Sequence, residues 1–116
     1  MHELALTSRV FDIALAYAQD NDASKICAIH LRIGEIRDIQ NEWMQHYFDY
    51  LSRGTIAEGA KLEIVRVPLR LACKDCLESF EAKVSELSGR VCSQCGGSSF
   101  SIISGQEFSI SSIEVV

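Results

Sequence analysis

The 116 residues are 47% hydrophobic and 23% charged, enough for one compact domain, or one small domain carrying a stapled sub-domain, and too few for a large multidomain enzyme. The longest uninterrupted apolar stretch, Ile13 to Ala18, is six residues, against the roughly 20 that cross a bilayer. Met1-His2-Glu3-Leu4 is not a basic region leading into an apolar run and a cleavage site, so the expected location is the cytoplasm, with no membrane partner. Eleven Lys+Arg against sixteen Asp+Glu give a net charge of -5, the wrong sign for neutralising phosphates, and nucleic acid is not an expected partner.

Apolar residues recur at Leu6, Val10, Ile13 and Tyr17, with Leu4, Phe11, Ala14 and Ala18 widening the stripe; this spacing predicts a helix over 4–18. Asp20, Asn21 and Asp22 then carry turn chemistry. Cys27, Ile29, Leu31 and Ile33 alternate with Ala28, His30 and Arg32, the pattern of a strand with one buried face. A second helix follows, capped by Asp38 or Asn41, with Met44, Tyr47, Phe48 and Leu51 at i, i+3, i+4 and i+7 and Gly54 closing it. Leu62 to Leu71 reads as a β-branched strand that changes phase between Ile64 and Val65, and Pro68 puts it at an edge or a bulge. Phe108, Ile110, Ile113 and Val115 mark a last strand, slipping phase near Ser111 and Ser112. The expected class is α+β: a small mixed or antiparallel three-stranded sheet with two helices, in the order αβαβ, zinc ribbon, β. The last strand is expected to pair near the second one. Residues 1–70 plus 107–116 form the α/β domain and 71–106 the inserted module.

Within that module Cys73-x-x-Cys76 and Cys92-x-x-Cys95 are separated by fifteen residues, the pattern of a four-thiolate structural zinc site. Each pair wraps one side of a tetrahedral ion, and Gly96-Gly97 lets the second turn close. About thirty-five residues with few large apolar groups hold together poorly alone, so metal binding must supply stability. Two disulfides, disfavoured in a reducing compartment, and an iron ion in the same cage are the alternatives. Four thiolates leave no open coordination position, so such a zinc is structural or regulatory, not hydrolytic. Lys74, Lys83 and Arg90 oppose Asp75, Glu78, Glu81 and Glu86, a balance that disfavours a nucleic-acid ribbon. Thiols sharing one metal lose the free thiolate that redox exchange needs. Cys27, alone on its strand, reads as a core residue.

At the other end of the chain, His2 stands where an imidazole chelates together with the terminal amine and its own backbone nitrogen. Amine, amide and Nδ1 close five- and six-membered rings. With a fourth donor, Glu3 or one from elsewhere, this set suits Ni²⁺ or Cu²⁺. It requires Met1 to keep a free amine. The alternative is a solvated histidine near a helix start.

The opening Met1-His2-Glu3-Leu4 with two C-x-x-C pairs in the last third resembles the HypA/HybF family of hydrogenase nickel-incorporation proteins. Leu31-Arg32-Ile33-Gly34, the block from Gly54 through Ile64, and Ser112-Ile113-Glu114-Val115 resemble that family's strand, helix-exit and closing-strand segments, so the likeness spans the whole chain. It implies a nickel metallochaperone and no catalysis. One transferable Ni²⁺ would be bound through Met1 and His2 with Glu3 adjacent, and one structural Zn²⁺ through Cys73, Cys76, Cys92 and Cys95. The implied partners are the GTPase HypB and the large subunit of [NiFe]-hydrogenase; some members also serve urease. Leu77, Glu78, Gly96 and Gly97 stand where some relatives carry histidines beyond the zinc cysteines, which puts any histidine adjustment of the zinc site in doubt.

His30 and His46 read as surface residues, Trp43 as core or partner-facing, and Glu35, Asp38 and Glu42 as a solvated capping stretch. Another class of function, a zinc-ribbon adaptor binding a protein partner without transferable metal, has the same cysteines and an incidental His2. An enzyme finds no support, since no Cys–His pair is suggested by spacing. Monomer and dimer are both compatible with the sequence.

Overall fold

The computed structural model describes residues 2–116, with side chains from Glu3 onward. Helix α1 spans His2–Asp20, strand β1 Ile26–Gly34, helix α2 Asn41–Ser52 and strand β2 Lys61–Val67. Strands β3 (Leu69–Cys73) and β4 (Ser79–Ala82), a 3-10 turn at Val84–Glu86, and strands β5 (Phe100–Ser104) and β6 (Phe108–Val115) complete the order. Two three-stranded sheets result, β2-β1-β6 and β4-β3-β5. The α+β class and the two helices are as the sequence leads one to expect; the second sheet is additional. The chain divides into two compact units, one of residues 1–31, 39–65 and 109–116, the other of 32–38 and 66–108.

In the first unit α1 turns Thr7, Val10, Ala14 and Ala18 inward, spaced at one residue per helical turn. Ile13 and Tyr17, expected on that stripe, are half-exposed; alanines take the contact because a short side chain lets a neighbouring backbone come close. Helix α2 buries Met44, Phe48 and Ser52. Phe48 meets Phe11 of α1 edge to face, ring centroids 6.0 Å apart, and its full burial contributes about 1.5–3 kcal/mol. The helix starts after Gln40, which makes no side-chain cap bond, so neither Asp38 nor Asn41 caps it. Gly54 follows its last turn with φ 76, the left-handed closure expected there.

Strand β1 is central rather than one-sided. Ile29, Leu31 and Ile33 are fully buried as expected, but Ile26 and Ala28 on the other face are buried too, and Cys27 is only half-buried. The last strand pairs with β1, not with the second strand. Lys25 and Val116 exchange backbone hydrogen bonds and Gly34 N–H donates to Glu107, a descending register that makes the pair antiparallel. The burial of β6 alternates, slips at Ser111 and Ser112, and alternates again, as its apolar pattern predicts. His30 bonds the Glu114 carboxylate across this pair. The Ser111 hydroxyl donates to the His30 carbonyl, 3.2 Å.

The stretch from Leu62 to Leu71 is two strands in two sheets, broken at Pro68, which has no N–H to continue a ladder. No phase change occurs at Ile64: Leu62, Ile64 and Arg66 face the same way and Val65 is exposed. The inward turn of Arg66 has a purpose that apolar patterning could not show. In the second unit its guanidinium donates to the carbonyls of Ile33, Gly34 and Arg37. A Cβ on Gly34 would lie 1.9 Å from the Gly105 carbonyl oxygen, so two backbones meet where only glycine fits.

Candidate metal centre

The two cysteine pairs sit in two connections at one end of the β4-β3-β5 sheet. Cys73 ends β3, and Ala72 faces Ser79 across the antiparallel β3–β4 pair, so Cys73 through Cys76 form the turn of a hairpin. Cys92 through Cys95 precede β5, whose Phe100 lies opposite Cys73. A backbone bond from Lys74 N–H to Ser99, 2.9 Å, ties the two turns together. Beneath them Leu69, Leu71 and Ala82 are buried among Ile36, Phe80, Leu87 and Phe100. Phe80 and Phe100 meet edge to face at 5.6 Å, with Arg90 4.5 Å over Phe80.

Both turns have the same backbone. Cys73 N–H donates to Glu78 and Leu77 N–H to Cys73; Cys92 N–H donates to Gly97 and Gly96 N–H to Cys92. Leu77 and Gly96 both have positive φ, 65 and 74. The loops therefore curl their two thiols toward one point each. A Cβ on Gly97 would sit 2.3 Å from an Asp75 carboxylate oxygen and 3.3 Å from Cys95 Sγ, so its lack of a side chain lets the first turn approach the second.

The four sulfurs lie within 4.8 Å of one another. Cys73 and Cys95 Sγ are 3.6 Å apart, as are Cys76 and Cys92. All five cysteines of the chain are free, and 3.6 Å is far beyond the roughly 2.05 Å of a disulfide. A tetrahedron with metal–sulfur bonds of about 2.3 Å has edges of about 3.8 Å, so the donor set fits zinc in number, element and spacing. Cys73 and Cys92 are buried while Cys76 and Cys95 are exposed, giving an ion one sheltered and one solvent-facing side.

As thiols Cys76, Cys92 and Cys95 hold their protons unequally. Backbone N–H groups of Cys95 and Gln94 hold Cys92 down to about 7, the latter 3.4 Å from its sulfur. Cys95 is pushed up to about 12, because N–H donation from Gly97 is outweighed by the Cys73 thiol and by desolvation. Cys76 is raised despite donation from Glu78, through desolvation and Cys92. A cation entering this set must displace protons, which makes its uptake depend on pH.

At the amino terminus Met1 lies outside the described residues, and so does the side chain of His2, the residue at which α1 begins. Glu3 is half-buried in the first turn, where a carboxylate complements the helix dipole, and its carbonyl accepts the Thr7 hydroxyl. Among the described residues Cys73, Cys76, Cys92 and Cys95 form the one group with metal-ligand spacing. His46 and Trp43 are exposed on α2, and His30 is occupied by Glu114.

A family model for hydrogenase/urease nickel incorporation, metallochaperone, hypA, matches residues 1–115. The chain belongs to the HypA family. It is 38% identical over 115 residues to the hydrogenase maturation factor HypA of Dehalococcoides mccartyi, covering 99% of this chain and 94% of that one. It is 30% identical to the factor of the same name from Nitrosospira multiformis, covering 100% and 98%. The solution structure of the Ni metallochaperone HypA from Helicobacter pylori superimposes with a TM-score of 0.64 at 26% identity, covering 100% of this chain and 98% of that one. A second HypA solution structure gives 0.72 at 28% identity, covering 100% and 97%. HypA chains are by name hydrogenase maturation factors and nickel metallochaperones, and this one carries a four-cysteine cluster able to hold a metal. In this HypA chain Leu77, Glu78, Gly96 and Gly97, the positions flanking the cysteines, serve the turn backbones. Among the described residues no helix is long and apolar enough to cross a membrane.

Proposed function

We propose that this HypA chain carries one Ni²⁺ as cargo at its free amino terminus and hands it to a [NiFe]-hydrogenase during maturation. The amine of Met1, the backbone nitrogen of His2 and the His2 imidazole bind it, with Glu3 adjacent. Zinc, when bound by Cys73, Cys76, Cys92 and Cys95, cross-links the two turns and performs no chemistry on the cargo. The observation that carries this reading is the whole-chain family match beginning at residue 1, together with Met1-His2-Glu3 at the start of the sequence.

The division of labour follows from exchangeability. A cage of four thiolates holds its ion tightly and offers no open position, whereas a chelate made from a chain end can open one ring at a time and release. We assign residues 1–70 with 107–116 to the nickel-binding domain and 71–106 to the zinc ribbon. The chain works as a carrier rather than an enzyme, in the cytoplasm, where four free thiols stay reduced. Its partners are the GTPase HypB, the hydrogenase large subunit and, in organisms that make urease, the urease maturation proteins.

Binding requires the amine (about 7.7–8.0) and the imidazole (about 6.5) to be deprotonated, so nickel affinity should fall steadily from pH 8 to pH 6. His2→Ala should abolish tight nickel binding while zinc content and far-ultraviolet circular dichroism stay as in the parent protein. Flat affinity across that range, or full nickel binding by His2→Ala, overturns the ligand set.

A further inference from the structure

Strand β6 is an edge strand: in the sheet β2-β1-β6 its one neighbour is β1. All of it but Phe108 lies in the first unit. Such an edge presents a row of unpaired N–H and C=O groups, and proteins that do not use it protect it with Lys, Pro or an inward-pointing charge. The opposite edge, β2, is protected in this way, since Lys61 and Glu63 stand exposed, Arg66 turns inward and Pro68 closes the strand. Strand β6 reads Phe-Ser-Ile-Ser-Ser-Ile-Glu-Val, with no Lys, Arg or Pro. Its single charge, Glu114, is taken up by His30 of β1.

The burial of β6 is a palindrome. Phe108, Ile110, Ile113 and Val115 are half-buried while Ser109, Ser111, Ser112 and Glu114 are exposed, so the pattern reads the same from either end, with its centre between Ser111 and Ser112. On β1 the apolar Ile29, Leu31 and Ile33 are fully buried; the apolar row of β6, with a neighbour on one side, is left half-covered. Two consecutive exposed residues shift the phase of the strand. A regular strand laid alongside would match one half of β6 and turn the wrong face to the other half. An antiparallel copy of β6 carries the same shift at the same point, so both halves match.

We propose that the free edge of β6 binds a second copy of this chain, the two β6 strands pairing antiparallel about a two-fold axis between Ser111 and Ser112. In that register Ile110 faces the second copy's Ile113, Phe108 its Val115, Ser109 its Glu114 and Ser111 its Ser112. Every apolar residue meets an apolar residue on one face and every polar residue a polar one on the other. Two three-stranded sheets become one of six strands, and the two-fold contact closes on itself. Each Glu114 stands five residues along the strand from its counterpart, about 17 Å at 3.4 Å per residue, beyond the roughly 8 Å over which charges act at physiological salt. Main-chain hydrogen bonds supply the affinity, and the matched shift selects a copy of β6 over other strands. A contact made by one strand is at the small end of interfaces, so the dimer forms reversibly with concentration.

The test is sedimentation of the full chain over a range of concentrations, beside Ser112→Lys, Ser112→Glu and an equimolar mixture of the two. Ser112 is exposed, so both variants should fold normally, and circular dichroism and zinc content equal to those of the parent check this. The mass of the parent should approach that of two chains as concentration rises, with amide exchange slowing in β6 and unchanged in β2. The two side chains at position 112 are neighbours across the axis, so like charges there should raise the dissociation constant roughly 5-fold or more in each variant alone. Mixing the variants sets Lys beside Glu and should restore association. A chain that stays monomeric throughout overturns the proposal and leaves the edge to a strand of another protein. A dimer indifferent to both variants, or variants that stay weak when mixed, overturns it as well and puts the contact on another surface.

Discussion

Leu77 and Gly96 occupy the same place in two copies of one turn. Each follows the second cysteine of its pair, each N–H donates to the carbonyl of the first cysteine, at 2.9 and 2.8 Å, and each has positive φ. Glycine adopts that conformation freely, while a side chain costs about 1–2 kcal/mol. Leu77 offsets none of this by packing, since it is 80% exposed.

Leu77→Gly should therefore stabilise the metal-loaded protein, by about 0.5–1 kcal/mol after the greater freedom of glycine in the unfolded chain is allowed for. Gly96→Leu should destabilise it by a similar or larger amount. Chemical denaturation of the two variants beside the parent decides the point, and stabilities moving in the same direction would contradict the equivalence of the turns.

Removing a metal held by the four cysteines should unfold the second unit and leave the first intact. The apolar cluster beneath its cysteine turns is small, three buried residues with four half-buried neighbours, and small cores rarely suffice without a staple. Trp43, the single tryptophan, lies in the first unit. A strong chelator, or Cys92→Ser, should collapse amide-exchange protection in β3, β4 and β5 while Trp43 emission and the protection of α1 and α2 persist. Simultaneous loss of both would show one cooperative unit instead of two.

The two-unit organisation was only partly legible in the sequence. The existence of the helices and the phase slip at Ser111 and Ser112 follow periodicity, whereas β1, buried on both faces, shows less alternation than its sequence. The cysteine spacing announces a metal cage before any fold is known. What periodicity misses is pairing between distant segments. The four-residue β4 and the turn-rich approach to β5 are too short to show a period, and Phe80 with Phe100 was the available signal. The phase change expected between Ile64 and Val65 is absent because Arg66 takes the inward position, and its role, donating to three backbone carbonyls, is invisible in hydropathy. The alanines of α1 were read as margin rather than centre because volume was mistaken for burial.

Acid should weaken the corner around Gly105 through Glu107. Backbone N–H groups, its own and that of Gly105, hold its carboxyl below the usual value, and the Gly105 bond is 2.6 Å. A depressed folded-state pKa gives stability that is complete above the unfolded value, about 4.3, and disappears as pH falls through the folded one. Glu107→Gln should consequently be less stable than the parent at pH 6, and the gap should close as the pH is lowered through about 4 and below. Denaturation midpoints of the pair at several pH values measure it; a gap independent of pH would assign the effect to packing.

In the proposed function one chain holds two metals in independent places, a resident ion in the four-cysteine cage and a nickel cargo at the amino terminus. The most direct measurement is nickel titration of the chain with its native terminus against the chain extended by two residues before Met1, with zinc quantified in both. The expected result is one nickel on the native chain, none bound tightly by the extended chain, and one zinc in each. Equal nickel binding by the two chains would contradict it, and so would absence of nickel binding in both, the outcome that a zinc-ribbon adaptor without cargo would give.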